Sequence, residues 1–151
     1  MKQLNLPSYS FRIDVKEGKE MILDPIRKKY VRLTAEEWVR QNFIQYLIDK
    51  GKYPPGLMGI EVMFDLNRLK RRVDILIHDR KGNPLMIVEC KGYDIDLDDS
   101  VFEQIADYNL KYMVPYLVVT NGILHYACKM DFTNKKPDYL LEIPLYEDLI
   151  P

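Results

Sequence analysis

The chain has 151 residues, with 22 Lys and Arg against 23 Asp and Glu, for a net charge of −1. A hydrophobic fraction of 47% beside a charged fraction of 30% fits one globular domain with one buried core. Near-neutral charge excludes wholesale attraction to nucleic acid, no apolar run approaches the roughly 20 residues of a membrane span, and two cysteines give no disulfide framework.

The N-terminal Met1-Lys2-Gln3-Leu4-Asn5-Leu6-Pro7 is too short and polar for a signal peptide, so a reducing cytoplasmic setting without a membrane is expected. Ser10-Phe11-Arg12-Ile13-Asp14-Val15 alternates like a strand, and Glu17-Gly18-Lys19 reads as a turn. Met21-Ile22-Leu23 returns as a second strand, ended by Asp24-Pro25. Residues 1–33 are therefore expected to form a small β extension on a main domain spanning 34–130, with 131–151 a C-terminal extension of the same domain.

Thr34-Ala35-Glu36-Glu37 fits a capping box, in which Glu37 folds back to the cap backbone. The helix runs to about Asp49, before Gly51. Val39, Phe43 and Leu47 define its inward stripe, with Glu36 at the centre of that stripe and Arg40 one turn further along. A salt bridge between Glu36 and Arg40 is one reading of this pair, and a functional acid is the other. After a loop at 52–56, Ile60-Glu61-Val62-Met63-Phe64 reads as a strand with Glu61 facing solvent.

Arg71–His78 and Leu85–Lys91 are Val-, Ile- and Leu-rich strands separated by Arg80-Lys81-Gly82-Asn83-Pro84, so they form an antiparallel hairpin. With Lys81-Gly82 as the central turn, Asp74 lies opposite Glu89; moving the turn by one residue on each side sets it opposite Lys91. Under strict alternation Asp74, Glu89 and Lys91 share one face in both registers, and only a bulge would separate them. Two carboxylates about 4 Å apart repel by roughly 4 kcal/mol at an effective dielectric near 20. Lys91 offsets one charge; a divalent cation would offset two more, and hard oxygen ligands suit Mg²⁺ or Mn²⁺.

Charge is also uneven along the chain. Arg68, Lys70, Arg71 and Arg72 precede Asp74, while Asp94, Asp96, Asp98 and Asp99 follow Lys91. The basic cluster is either a phosphate-backbone contact or a solvated strand end. Ser100-Val101-Phe102-Glu103 is a second capping-box match, opening a helix to about Met113 with a stripe of Val101, Ile105, Tyr108 and Tyr112, and Gln104 beside it. Tyr116–Thr120 closes a strand–helix–strand unit and should pair in parallel with the Glu89 strand. Asn121-Gly122 reads as a two-residue hairpin turn, followed by strands at 123–128 and 139–143. His78 and His125 lack zinc-type neighbours and read as structural. No glycine-rich phosphate loop occurs, so no nucleotide cofactor is expected. The sum is an α/β (α+β) fold with a mixed sheet flanked by helices.

Asp74, fourteen residues, then Glu89-Cys90-Lys91 resembles the D…E-x-K signature of the PD-(D/E)XK nuclease superfamily. In detail the chain is similar to the N-terminal nuclease domain of type I restriction enzyme R subunits. The stretches that carry the likeness are Glu36–Arg40, Arg72–Ile75, Ile87–Lys91, Gln104-x-x-x-Tyr108 and Val118–Gly122, covering about residues 34–122. Val73 stands where the superfamily often has proline. The resemblance implies a restriction-endonuclease-like core, DNA as substrate and an Mg²⁺ or Mn²⁺ ion held by Asp74, Glu89 and the Cys90 carbonyl. It further implies Lys91 as the group that orients or deprotonates water, Glu36 or Glu37 as a first-helix acid completing the site, and Gln104 as a positioning residue. Arg40 joins the basic cluster as a candidate DNA contact. A homodimer, or association with other restriction or repair subunits, is the expected assembly. Two other readings compete: a non-catalytic DNA-binding or assembly module keeping the fold, and a structural salt-bridge cluster in an unrelated α/β protein.

Overall fold

The computed structural model of the chain describes residues 1–66 and 68–150; Pro151, the end of the expected C-terminal extension, lies outside them. A small antiparallel sheet comes first, built from β1 (Ile13–Lys16), β2 (Lys19–Asp24) and β3 (Lys29–Arg32) in that order. β3 was not legible in the sequence, because its four residues carry charged ends and no apolar run. Asp24 explains the reversal that makes β3 possible: its Oδ1 accepts from the Ile26 and Arg27 amides at 2.8 and 2.9 Å.

Helix α1 (Ala35–Asp49) follows. Thr34 caps it, its hydroxyl accepting from the Glu37 amide at 3.0 Å, a contact worth about 1 kcal/mol. The reciprocal half of the expected capping box does not form, because the Glu37 carboxylate is engaged elsewhere. Val39, Phe43, Ile44 and Leu47 are fully buried, each contributing roughly 1.5–3 kcal/mol.

The main sheet has six strands in sequence order: β4 (Met58–Leu66), β5 (Leu69–His78), β6 (Pro84–Cys90), β7 (Tyr116–Thr120), β8 (His125–Asp131) and β9 (Lys136–Leu140). Only the β6–β7 pair is parallel, and its crossover is α2 (Asp99–Asn109). Pro137 sits in β9 at the sheet edge, where a missing amide is tolerated. α1 packs on one face, against Ile75, Ile77, Met86, Val88, Cys90 and Val118. Phe102 and Ala106 of α2 cover the other face, against Leu76, Ile87, Leu117 and Val119. No helix among the described residues is long and apolar enough to cross a membrane.

Three local expectations change. α2 is capped by Asp98, whose carboxylate accepts from the Val101 amide at 2.8 Å, not by Ser100. Asp is as strong a cap as Ser, and the acidic loop offered several. The buried stripe is consequently Phe102, Ala106 and Asn109, one residue round from the expected Val101 and Ile105; Tyr108 is largely exposed. The connection from β7 to β8 is a four-residue loop, with Thr120 paired to His125. Asn121 Oδ1 accepts from the Ile123 and Leu124 amides at 3.0 and 2.8 Å, widening the turn. Third, β9 begins three residues earlier than read.

Gly122 has φ +85°, and a Cβ there would meet Leu4 and Val39 side-chain atoms at 2.8 and 3.2 Å. Gly122→Ala should lower stability by about 1–3 kcal/mol. Urea unfolding checks this: a shifted midpoint with an unchanged slope is the expected result.

Candidate functional site

The site lies where β5 and β6 end beside the start of α1. Strand alternation breaks there. Val62 and Val73 pair with each other and pack on the α2 side, while Ile60 and Ile75 pair and pack on the α1 side. Glu61 and Asp74 lie between these pairs and both turn toward α1. Glu61 has φ +51°, a conformation that costs an L residue of order 1 kcal/mol or more. Its ion pairs offset that cost, at 3.2 Å to Arg27 and 3.4 Å to Arg40. Glu61 is therefore not the solvent-facing strand residue that its position suggested.

The β5–β6 ladder runs Ile75↔Val88, Leu76↔Ile87, Ile77↔Met86. Continued by one pair, this is the register that sets Asp74 across from Glu89. The break in alternation nevertheless separates the two carboxylates. Asp74 turns to α1, where Oδ1 accepts from Arg40 Nη2 at 2.8 Å and Oδ2 from the Cys90 amide at 2.8 Å. Glu89 turns to α2, where Oε1 accepts from Arg71 Nη2 and, at 3.1 Å, from Asn109 Nδ2. The single face expected for Asp74, Glu89 and Lys91 is thus corrected.

Arg40 is the hub of the α1 side. It is 2% exposed and meets four carboxylates: Glu37 at 2.6 Å, Asp74 at 2.8 Å, Glu61 at 3.4 Å and Glu36 at 3.6 Å. Burial alone would lower its pKa, but Glu37 and Asp74 outweigh burial and raise it. A residue this enclosed is not presented to a phosphate backbone. Glu37 also accepts from Arg27 and from Gln41, both at 2.9 Å. Arg27 in turn holds Asp24 at 2.6 Å, and the hydrogen bonds from Arg27 outweigh burial to lower the Asp24 pKa. Glu37 is thus the inward acid of the first turn. Glu36, expected at the centre of the buried stripe, has a side chain 49% exposed. Its carboxyl is nevertheless raised above the usual 4.5, by desolvation first and then by Asp74, with Arg40 and Lys91 opposing. Glu36, Asp74 and Lys91 therefore share one electrostatic neighbourhood.

On the α2 side Arg71 donates to Asn109 Oδ1 at 2.9 Å and lies over the Tyr108 and Tyr112 rings at 5.3 and 5.4 Å. Arg68, Lys70 and Arg72 are exposed. Gln104 is exposed on α2; Asn109 is the α2 side chain that reaches Glu89. Asn109 went unread because it appears as a polar interruption of the apolar stripe only once the helix phase is set by Asp98. The Cys90 thiol is fully buried, and burial with the Asp74 charge pushes its pKa well up, so Cys90 offers a cation only its backbone carbonyl.

The donor set fits a hard divalent cation. Asp74, Glu89 and Glu36 supply carboxylate oxygens, the ligand type that Mg²⁺ prefers. No three acidic, His or Cys side chains form a ready metal cage among the described residues. Mg²⁺ does not require one, since it is commonly held by one or two carboxylates with waters and substrate phosphates.

A sheet with helices on both faces, one parallel pair at its centre and Asp74 and Glu89-x-Lys91 at adjacent strand ends is a restriction-endonuclease-like α/β fold. The chain belongs to the family described as type I restriction enzyme R protein N terminus (HSDR_N), whose model matches residues 35–144. Among solved structures it is similar to a fragment described as the HsdR subunit of a type I restriction enzyme from Vibrio vulnificus YJ016, with 18% identity and a TM-score of 0.54. That likeness, which concerns the fold, covers 78% of this chain and 24% of the other, so the chain spans about a quarter of its length. The comparison with curated proteins gave no match.

Arg40→Met should cost on the order of 3–5 kcal/mol, since it strands Glu37 and Asp74 charges in partly buried positions; thermal unfolding at neutral pH reads this directly. Glu36 should behave oppositely. A carboxyl whose folded pKa is raised destabilises the fold when ionised, so its penalty is absent well below 4.5 and grows as pH rises through the folded value. Glu36→Gln should melt higher than the parent at neutral pH, and the difference should vanish in acid.

Proposed function

We propose that this domain hydrolyses DNA phosphodiester bonds in a reaction that depends on Mg²⁺ or Mn²⁺. The observation that carries the reading is the grouping of Glu36, Asp74 and Lys91 at the mouth between α1 and the ends of β5 and β6, with a Glu36 carboxyl held above its usual range. A scaffold with no chemistry to perform gains nothing from an exposed acid set against a second acid.

On this reading Asp74, Glu89 and the Cys90 carbonyl hold the cation, with Glu36 at the rim. When bound, the ion supplies charge neutralisation at the scissile phosphate. The chain's own residues do the rest. Arg40 and the Cys90 amide fix both oxygens of Asp74, so little reorganisation is needed there. Lys91 orients the attacking water and stabilises developing negative charge. Arg68, Lys70 and Arg72 are exposed and available to a phosphate backbone. Gln104, exposed on α2, is placed to touch substrate but not the Asp74 cluster. The working partners are DNA and further restriction subunits, in the cytoplasm, with two copies acting together where both strands are cut.

A second reading has its own observation. Both Asp74 and Glu89 carry an arginine, an arrangement also suited to a DNA-binding or assembly module without catalysis. The two readings separate on metal titration, because such a module shows no Mg²⁺- or Mn²⁺-linked rise in melting temperature.

Supercoiled plasmid and single-stranded DNA, incubated with the protein in Mn²⁺, Mg²⁺ or EDTA, test the proposal. Cleavage should require the metal and fall by at least ~100-fold in Lys91→Ala, with the melting temperature little changed. Full activity in that variant would remove Lys91 from the mechanism.

A further inference from the structure

The two arginines are not held alike. Arg40 is enclosed, with its side chain 2% exposed, and is tied to four carboxylates. Arg71 is 16% exposed and pairs with one carboxylate, Glu89. Its other contacts are neutral: Asn109 Oδ1 and the Tyr108 and Tyr112 rings. Releasing Arg40 would leave Glu37, Glu61 and Asp74 to repel one another. Releasing Arg71 leaves one carboxylate that still accepts from Asn109 Nδ2, and Asn109 is itself anchored on the Ile105 carbonyl at 2.8 Å.

We propose that Arg71 is an exchangeable counterion, holding Glu89 until a divalent cation takes the carboxylate and a substrate phosphate takes the guanidinium. The inference rests on the nuclease reading above and deepens it: metal and DNA would bind cooperatively because each removes one partner of the same ion pair. The chemistry suits the exchange. A guanidinium and a hard cation compete for one carboxylate, while a phosphate offers the guanidinium two oxygens in the geometry of its fork. The surroundings suit it as well. Arg72 and Lys70 are exposed on the same strand, and Lys111 lies 3.6 Å from the exposed Tyr108 ring. A phosphate backbone drawn to these charges would arrive beside Arg71. Coupling of this kind is reciprocal, so metal must strengthen DNA binding by the same factor that DNA strengthens metal binding.

The test is calorimetric titration of Mn²⁺ into the whole chain without DNA, comparing the parent with Arg71→Gln, Arg71→Lys and Arg72→Gln. Arg71→Gln should bind Mn²⁺ at least ~5-fold more tightly than the parent. Arg71→Lys, which keeps the charge but loses the fork, should fall between them and serves in its place should Arg71→Gln fold poorly. Arg72→Gln removes the same charge from the neighbouring exposed position and should leave Mn²⁺ affinity unchanged. In parallel, duplex binding by fluorescence anisotropy should strengthen with Ca²⁺ in the parent and lose that dependence in Arg71→Gln. Equal Mn²⁺ affinity in the parent and Arg71→Gln overturns the exchange while leaving the metal site standing. An equal gain in Arg72→Gln also overturns it, because general electrostatics would then suffice. No Mn²⁺ binding by any of the proteins overturns both the exchange and the reading beneath it.

Discussion

Arg40 is the constraint on which the rest of the site depends. One enclosed guanidinium neutralises carboxylates from α1, β4 and β5 at once. Its attraction to them must exceed the several kcal/mol lost when each ion leaves water, and the short contacts to Glu37 and Asp74 make that plausible on Coulombic grounds. The balance is delicate in sign: an intact buried pair adds little net stability, but a broken one costs a great deal. Arg40 is thus better understood as fixing where these acids point than as holding the fold together. That second task falls to the two apolar layers on either side of the sheet.

The same network explains the irregular strands. A regular β5 would send Asp74 to the α2 side, with Leu76 and Ile87. Instead β4 and β5 lose phase together, between Ile60↔Ile75 and Val62↔Val73. Because both strands slip, their mutual register is preserved and every apolar residue beyond the break still reaches a core. The strain at Glu61 is local, and its carboxylate is the group that reaches both Arg27 and Arg40. Through Arg27 the chain of charges continues to Asp24 and the small N-terminal sheet. Residues 13–32 therefore brace the first turn of α1.

Much of this was legible in the sequence and some was not, for separable reasons. Period-two and period-3.6 patterns located α1, β5, β6 and β7 closely, because each buries a full apolar face. The parallel β6–β7 pair followed from the intervening helix. Spacing also located Asp74, Glu89 and Lys91 at adjacent strand ends. What failed was facing. Alternation is a rule for regular strands, and nothing in Val73-Asp74-Ile75 announces that the phase slips there; the cause lies in Arg40, 34 residues earlier. Glu36 and Glu37 were confused for a related reason. Both lie in the first turn, and helical periodicity cannot tell which is covered until the buried cation that draws Glu37 inward is known. Asn109 was hidden by a two-residue error in the helix start, which rotates the assumed buried face by about 200°.

The separation of Asp74 from Glu89 follows from charge alone. Unpaired, two carboxylates on neighbouring strands would repel across the hairpin. The structure relieves this in two ways: by turning them to opposite sides of the sheet, and by giving each a guanidinium. These remedies differ in permanence, because one guanidinium is walled in by acids and the other rests against aromatic rings near solvent. On the proposed reading the asymmetry has a use. A site in which both carboxylates were locked would resist a cation, whereas one in which neither was locked would lose the geometry that holds Asp74. One fixed and one displaceable counterion keep Asp74 oriented while leaving Glu89 open to exchange. A chain of net charge −1 has little long-range attraction for DNA, so such a local trade of partners is the kind of selectivity its electrostatics allow.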